Sequence, residues 1–344
     1  MKKGCSFGTH RVIEPTGALP QNAEKIDNST TIWPNEILIG VDTLNIDSAS
    51  FSQMRAACKD DGQKIAEMIR SIVLTRGKLQ NPVTGSGGML LGRVLEIGEE
   101  LRGRDLLPGD KIATLVSLSL TPLKIDEILS IKLDSDQVDI RGKAVLFESG
   151  IYCKLPADIP EKVALAVLDV AGAPAQVKRL VKPGMTVTII GGGGKSGILC
   201  CQQARKSAGD SGRVIAIENS ESSAERLRLL KLADKVLIAD ATDPIAVYSL
   251  VRDTTSGKMS DVVINNVNVP NTEMASVLAT KDRGTVYFFS MATSFTKAAL
   301  GAEGVGKDID MMIGNGYAKG HAELALEIIR ENREIRELFE KIYV

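Results

Sequence analysis

The chain has 344 residues, 44% hydrophobic and 25% charged, with 42 Lys and Arg against 43 Asp and Glu for a formal net charge of −1. That balance excludes an electrostatic case for nucleic acid or an anionic membrane surface, and no apolar run reaches the roughly 18 residues of a membrane helix. Five scattered cysteines without a C-x-x-C pair (Cys5, Cys58, Cys153, Cys200, Cys201) and an N-terminus without an apolar signal core predict reduced thiols and a cytoplasmic location. No zinc-ligand spacing occurs, the only histidines are His10 and His321, and the length is a soft prior for two domains.

Residues 4–35 are rich in Gly, Pro, Thr and Asn and read as loops with short strands. After Trp33-Pro34-Asn35, the run from Glu36 to Val41 predicts a strand. Ser52 to Leu74 predicts one helix, with Met54, Cys58, Ile65, Ile69 and Val73 near the helical period and Gly62 as an interruption. Asn81-Pro82-Val83-Thr84-Gly85-Ser86-Gly87-Gly88 is a glycine-rich loop. No G-K-[ST] follows it, and the next segment, 89–98, reads as a glycine-broken strand. A turn close to a ligand or to another backbone is therefore favoured over a phosphate cradle. Leu107-Pro108-Gly109-Asp110 is a turn feeding a further strand. Short strands separated by turns from 36 to 156 predict a compact β-rich domain.

Pro156 to Leu180 is helix-prone and leads to a buried strand, Val187 to Ile190, then Gly191 to Gly194, Lys195, Ser196 and Gly197. Gly192, Gly194 and Gly197 fall in the G-x-G-x-x-G register between a strand and a helix, the context of a dinucleotide fingerprint. Gly192 allows the tight turn, Gly194 the approach of a pyrophosphate, and Gly197 close helix packing. The helix start, with Gly193, Lys195 and Ser196, faces the phosphates. Glu218 ends the next strand, 21 residues past Gly197. A carboxylate near that spacing bonds the adenosine ribose and repels a 2′-phosphate, which predicts NAD over NADP. A βαβ unit that holds no nucleotide is the alternative.

Helices over 222–232, 244–252 and 273–279 alternate with strands over 235–239, 261–266, 284–290 and 309–314, and one helix is predicted over 321–343. This alternation predicts an α/β fold with a doubly wound parallel (Rossmann) sheet. Ligand-facing residues then lie at the C-terminal strand ends: Glu218, Asp240, Asn265, Asn266, Val267, Ser290 and Met291.

Pro108-Gly109-Asp110-Lys111-Ile112, the run Val181 to Val187 and Leu232-Ala233-Asp234-Lys235-Val236 resemble segments of the medium-chain dehydrogenase/reductase superfamily. The resemblance implies a GroES-like β-rich substrate and catalytic domain, 1–160, and a Rossmann NAD-binding domain with C-terminal helices, 161–344. Zinc alcohol dehydrogenases of that superfamily carry metal ligands at positions falling near Ile46, Gly88-Met89 and Leu168-Asp169. Only Asp169 is a ligand type, so a zinc-free member is expected. The stretches Gly8 to Pro15, Asn81 to Gly88, Leu168 to Pro174 and Gly191 to Gly197 closely resemble the diamino-acid dehydrogenases of lysine fermentation. That implies NAD(P)-dependent oxidation of an amine-bearing carbon to a ketone with release of ammonia, on a small diamino acid substrate. A homo-oligomer, dimer or tetramer, is expected.

Such chemistry needs a neutral amine, a water directed at the iminium, and counter-charges for two ammonium groups and a carboxylate. Asp169 lies in the apolar run Val167 to Ala171 at the hinge before the nucleotide domain and is the candidate carboxylate at the reacting amine. A helix-terminal or salt-bridged aspartate is the alternative. Arg11 is the candidate for the substrate carboxylate and His10 for the proton carrier, against surface and structural readings. Thr84 and Ser86 are candidate substrate contacts and Ser48 falls near the superfamily's proton-relay hydroxyl, with loop-capping as the alternative for all three. The reaction is expected in the cleft between the domains. A zinc-free quinone or enoyl reductase, and an NAD-binding protein without turnover, are the rival functions.

Overall fold

The structure, a computed structural model, describes residues 3–314 and 316–344. It divides into two units, one up to Asp169 together with Ile342–Val344, the other Val170–Lys341.

The first unit opens with a small antiparallel ribbon, β1 (Val12–Glu14) and β2 (Lys25–Ile26). Its main sheet is antiparallel and six-stranded: β3 (Glu36–Asn45), β4 (Met89–Ile97), β5 (Lys111–Thr114), β6 (Leu123–Lys132), β7 (Gln137–Phe147) and β8 (Tyr152–Lys154), in the order β6-β7-β3-β4-β5-β8. Three strands have 10 or 11 residues, longer than the sequence predicts. β6 carries Lys124, Asp126 and Glu127 because much of it is solvated, and those charges hide its apolar period. Gly92 of β4 lies so close to β3 that a Cβ there would stand 2.2 Å from the Gly40 carbonyl oxygen. The core collects Ile37, Ile39 and Leu44 of the sheet with Phe51, Met54 and Ile65 of the helices.

The helix expected over 52–74 is two helices, α1 (Ser48–Cys58) and α2 (Gly62–Arg76). Lys59 and Asp60 turn left-handed between them at φ 54° and 58°, and the Asp61 carboxylate caps α2 by accepting from the Gln63 and Lys64 N–H groups. Gly62 is thus a helix start, not an interruption. The helix-prone stretch 156–180 also divides, into α3 (Glu161–Asp169) and α4 (Gly172–Leu180). α3 packs on β3 and β4, and Lys162 bonds both oxygens of Asp139 on β7 at 3.0 Å. The first unit therefore runs on to Asp169, past the boundary at 160 that the sequence suggests.

In the second unit, β9 (Thr186–Ile190), β10 (Arg213–Glu218), β11 (Lys235–Ile238), β12 (Ser260–Asn265), β13 (Thr280–Phe288) and β14 (Asp310–Ile313) form a parallel sheet ordered β11-β10-β9-β12-β13-β14. Numbered within the sheet this is 3-2-1-4-5-6, the dinucleotide-binding order, with its switch point between β9 and β12. Val187, Ile189, Ile215, Ile217, Val263 and Ile264 are buried, as strands covered on both faces require. The remaining helices are α5 (Lys195–Ala208), α6 (Glu221–Leu230), α7 (Pro244–Thr254), α8 (Glu273–Ala279), α9 (Phe295–Gly304), α10 (His321–Glu331) and α11 (Arg333–Tyr343). The single helix expected over 321–343 breaks at Asn332, whose Oδ1 accepts from the Ile335 N–H at 2.9 Å.

Candidate dinucleotide site

At the C-terminal end of β9 the chain turns through Gly191, at φ 79°, which donates its N–H to the Ile217 carbonyl at 2.9 Å. The left-handed residue of the turn is therefore Gly191, not Gly192. Gly192 is glycine for packing, since a Cβ there would lie 2.9 Å from Cβ of Ala216 and 3.3 Å from Sγ of Cys201. Gly197 faces the Gly191 carbonyl oxygen, 2.0 Å from where its Cβ would stand. Gly194 precedes the first residue of α5, and nothing lies nearer than 3.7 Å to the place of its Cβ. No side chain caps α5, and the first turn of a helix, with its N–H groups and positive dipole end, suits an anion.

Beside this turn is a cavity of about 560 Å³ walled by Gly191, Gly193, Gly194, Glu218, Asp240, Asn266 and Val267, with Ile190, Ile217 and Ala239 as apolar lining. A pocket of that size with a few converging polar groups suits a nucleotide. Glu218 is 7% exposed, and its Oε1 accepts a short hydrogen bond from the Gly193 N–H. Burial raises its pKa, opposed by the N–H groups of Gly193 and Asn219 and by the Arg226 charge. The Gly194 opening, the uncapped helix start and the Glu218 carboxylate fit the pyrophosphate and ribose of a dinucleotide.

Asp240 lines the cavity while its Oδ1 accepts from the Thr242 N–H and hydroxyl, both at 2.8 Å. Asn265 does not face it. Fully buried, its Nδ2 donates to Oγ1 of Thr272 and Oγ of Ser276 at 2.9 Å, and its Oδ1 accepts from the Val267 N–H at 3.0 Å. It shapes the loop that presents Asn266 and Val267. Ser290 is tied down too, donating to Asn268 Oδ1 at 3.0 Å, and neither it nor Met291, 69% exposed, lines the cavity.

In the first unit the structure gathers Ser48, Thr84 and Ser86. Gly88, at φ 89°, presses on β3, where a Cβ would stand 2.0 Å from the Asn45 carbonyl oxygen and 2.7 Å from the Asp47 nitrogen. Thr84 Oγ1 lies 2.6 Å from Ser50 Oγ on α1 and accepts from the Ser86 N–H at 3.3 Å, while Ser48 Oγ donates to Asp136 at 2.9 Å. Thr84 and Ser48 thus hold the corner together. Ser86, half-buried, keeps its hydroxyl without a hydrogen bond to another described residue. Asp169 ends α3, half-exposed after the buried run Val163 to Leu168.

Arg11 and His10 are not part of that corner. The Arg11 side chain is wholly buried: Nε and Nη2 bond the two Glu36 oxygens at 2.7 and 2.6 Å, Nη1 bonds the Ser29 carbonyl at 2.9 Å, and Nη2 also bonds the Thr31 carbonyl at 2.8 Å. No guanidinium nitrogen is left for a substrate carboxylate. His10 Nε2 lies 2.8 Å from Glu36 Oε1 and its ring meets Trp33 edge-on. Glu36 begins β3 and Gly88 packs at its far end, about 30 Å away at the rise of an extended strand. Both residues are a structural knot. Ile46 is fully buried, and among the described residues no three of His, Cys, Asp and Glu are grouped to hold a metal ion.

The sequence reading missed Arg226, Ser223 and Asn219, which also line the cavity. Its available signal was the spacing S-x-x-R in the helix just after Glu218: residues 223 and 226 share one face of α6.

A β-rich unit followed by a 3-2-1-4-5-6 parallel sheet with a glycine turn at its switch point is the fold of the medium-chain dehydrogenases and reductases. The fold is shared with an alcohol dehydrogenase from Thermotoga maritima (TM-score 0.57, 17% identity, covering 92% of this chain and 86% of that one). Residues 10–156 match the family model described as the L-erythro-3,5-diaminohexanoate dehydrogenase N-terminal domain. The chain is 60% identical over 99% of its length, and 100% of the relative's, to L-erythro-3,5-diaminohexanoate dehydrogenase of Acetoanaerobium sticklandii. It is 58% identical to the enzyme of that name from Fusobacterium nucleatum, with 100% of both chains covered. The chain belongs to the L-erythro-3,5-diaminohexanoate dehydrogenase family, and the quinone or enoyl reductase reading is not favoured.

Proposed function

We propose that the protein carries out NAD-dependent oxidative deamination of L-erythro-3,5-diaminohexanoate to 5-amino-3-oxohexanoate and ammonia, in lysine fermentation. The observation that carries this is the near-complete match, at 60% and 58% identity, to two enzymes named for that substrate. Bound in the cavity of the second unit, the cofactor supplies a hydride acceptor. Gly194 and the first N–H groups of α5 hold its pyrophosphate, and Glu218 takes the adenosine ribose and favours NAD over NADP.

Asp169 accepts the proton that the reacting ammonium must lose, because only a neutral amine releases a hydride from its carbon. Once it has passed that proton on to solvent, the regenerated carboxylate stabilises the iminium cation and guides a water to it. Ser86 offers its unengaged hydroxyl to the substrate, while Thr84 and Ser48 hold the Ser86 loop and the start of α1. We place the protein in the cytoplasm, supported by five free cysteines. A homo-oligomer is supported by the open edge of β14 and the exposed Phe295, Leu300, Val305 and Ile313 near it in the chain.

Asp169→Asn keeps the shape and removes the charge. Turnover should fall about a hundredfold or more, within the range of general acid–base effects, with NADH binding nearly unchanged. Near-normal turnover would reject the role given to Asp169.

A further inference from the structure

The wall of the cavity beside Glu218 carries more hydrogen-bonding capacity than a ribose needs. Arg226 is half-buried on α6, and one of its nitrogens, Nη1, donates to the Gly193 carbonyl at 3.1 Å. Among the described residues no other acceptor holds the guanidinium, although it carries five N–H donors. Ser223, one turn earlier on the same face, has its backbone N–H on the Ser220 cap and its hydroxyl unengaged. The Asn219 side-chain amide likewise bonds no described residue. All three line the cavity with Glu218.

Gly193 fixes where the two charges meet. Its N–H goes to Glu218 and its carbonyl to Arg226, so carboxylate and guanidinium flank a single residue of the glycine turn. A dianion placed there is repelled by Glu218 and attracted by Arg226, and a guanidinium fork bonds phosphate oxygens bidentately. The carboxylate alone would shut out a phosphorylated ribose; the pair only handicaps it.

We propose that Arg226, Ser223 and Asn219 form an anion subsite beside Glu218 that takes a phosphate monoester on the adenosine ribose, so that the enzyme accepts NADP as a second coenzyme behind NAD. The proposal rests on the reading of this cavity as the dinucleotide site and assigns Arg226 as a specificity-determining residue.

The test is titration calorimetry of the full-length protein with adenosine 5′-monophosphate and adenosine 2′,5′-bisphosphate, together with kcat/KM for NAD and NADP. Wild type should bind both nucleotides and turn over with both coenzymes, NAD ahead by about 10- to 100-fold. Arg226→Gln should weaken the bisphosphate at least tenfold while the monophosphate changes by less than about threefold. Arg226→Lys, which keeps the charge, should retain most of the bisphosphate affinity. Glu218→Gln keeps an oxygen for Gly193 and should tighten the bisphosphate at least tenfold. Equal weakening of both nucleotides in Arg226→Gln would overturn the proposal, leaving Arg226 as an anchor for Gly193. So would absence of bisphosphate binding in both wild type and Glu218→Gln while the monophosphate still binds. If neither nucleotide binds, the dinucleotide reading fails and the proposal fails with it.

Discussion

Two buried glutamates are driven in opposite directions by their surroundings. At Glu36 burial pushes the pKa up, but hydrogen bonds from Arg11, His10 and the Trp33 N–H outweigh it and hold the carboxyl at about 2. A group depressed from 4.5 on folding stabilises the native state fully above its unfolded pKa. That contribution, on the order of 3 kcal/mol, is lost as pH falls from about 4.5 towards 2. Glu36→Gln leaves the buried Arg11 charge without its partner. It should cost about 3–5 kcal/mol in urea unfolding at neutral pH, and flatten the acid limb of the stability profile. Unchanged stability would show that the knot contributes nothing. At Glu218 burial dominates and the pKa is raised, so the carboxylate is held at some cost to the ligand-free fold. The position of Glu218, at a strand end beside the glycine turn, was legible in the sequence because strand, spacing and charge coincide. Arg11 and His10 were misread because their partner stands 25 or more residues away, at the start of a strand that reads as apolar.

At the scale of elements, the strand–turn–helix unit of β9 and α5 separates two kinds of glycine. Gly197→Ala forces a Cβ to within 2.0 Å of the Gly191 carbonyl oxygen, where backbone must move. It should lower Tm and weaken NADH binding together. Gly194→Ala meets nothing within 3.4 Å, so Tm should stay within about a degree of wild type while NADH binding weakens at least tenfold from the methyl facing the pyrophosphate. Loss of Tm in Gly194→Ala, or normal binding in both variants, would contradict these roles. The register of the motif was readable from the sequence, but the turn residue was not, because four consecutive glycines give no local sign of which one turns left-handed. Helix breaks at Lys59–Asp60 and Asn332 were also hidden, since apolar periodicity runs across them and only the cap geometry ends each helix. α9 went unread as well: its Phe295 and Leu300 are exposed, so no apolar stripe marks it.

For the molecule as a whole, alternating strands and helices foretold the parallel sheet, and its strand order puts a cavity where the topology switches. The substrate is another matter. A diamine is recognised by a few side chains brought together from distant parts of the chain, and no spacing encodes that; likeness to relatives of known name does. The most direct measurement is steady-state NADH formation from NAD with L-erythro-3,5-diaminohexanoate, simple alcohols and monoamines, with and without exhaustive chelation. Turnover with the diamine, little or none with the alcohols and monoamines, and no change on chelation is the predicted result. Turnover with a simple alcohol and none with the diamine, or a chelator-sensitive activity restored by zinc, would contradict it.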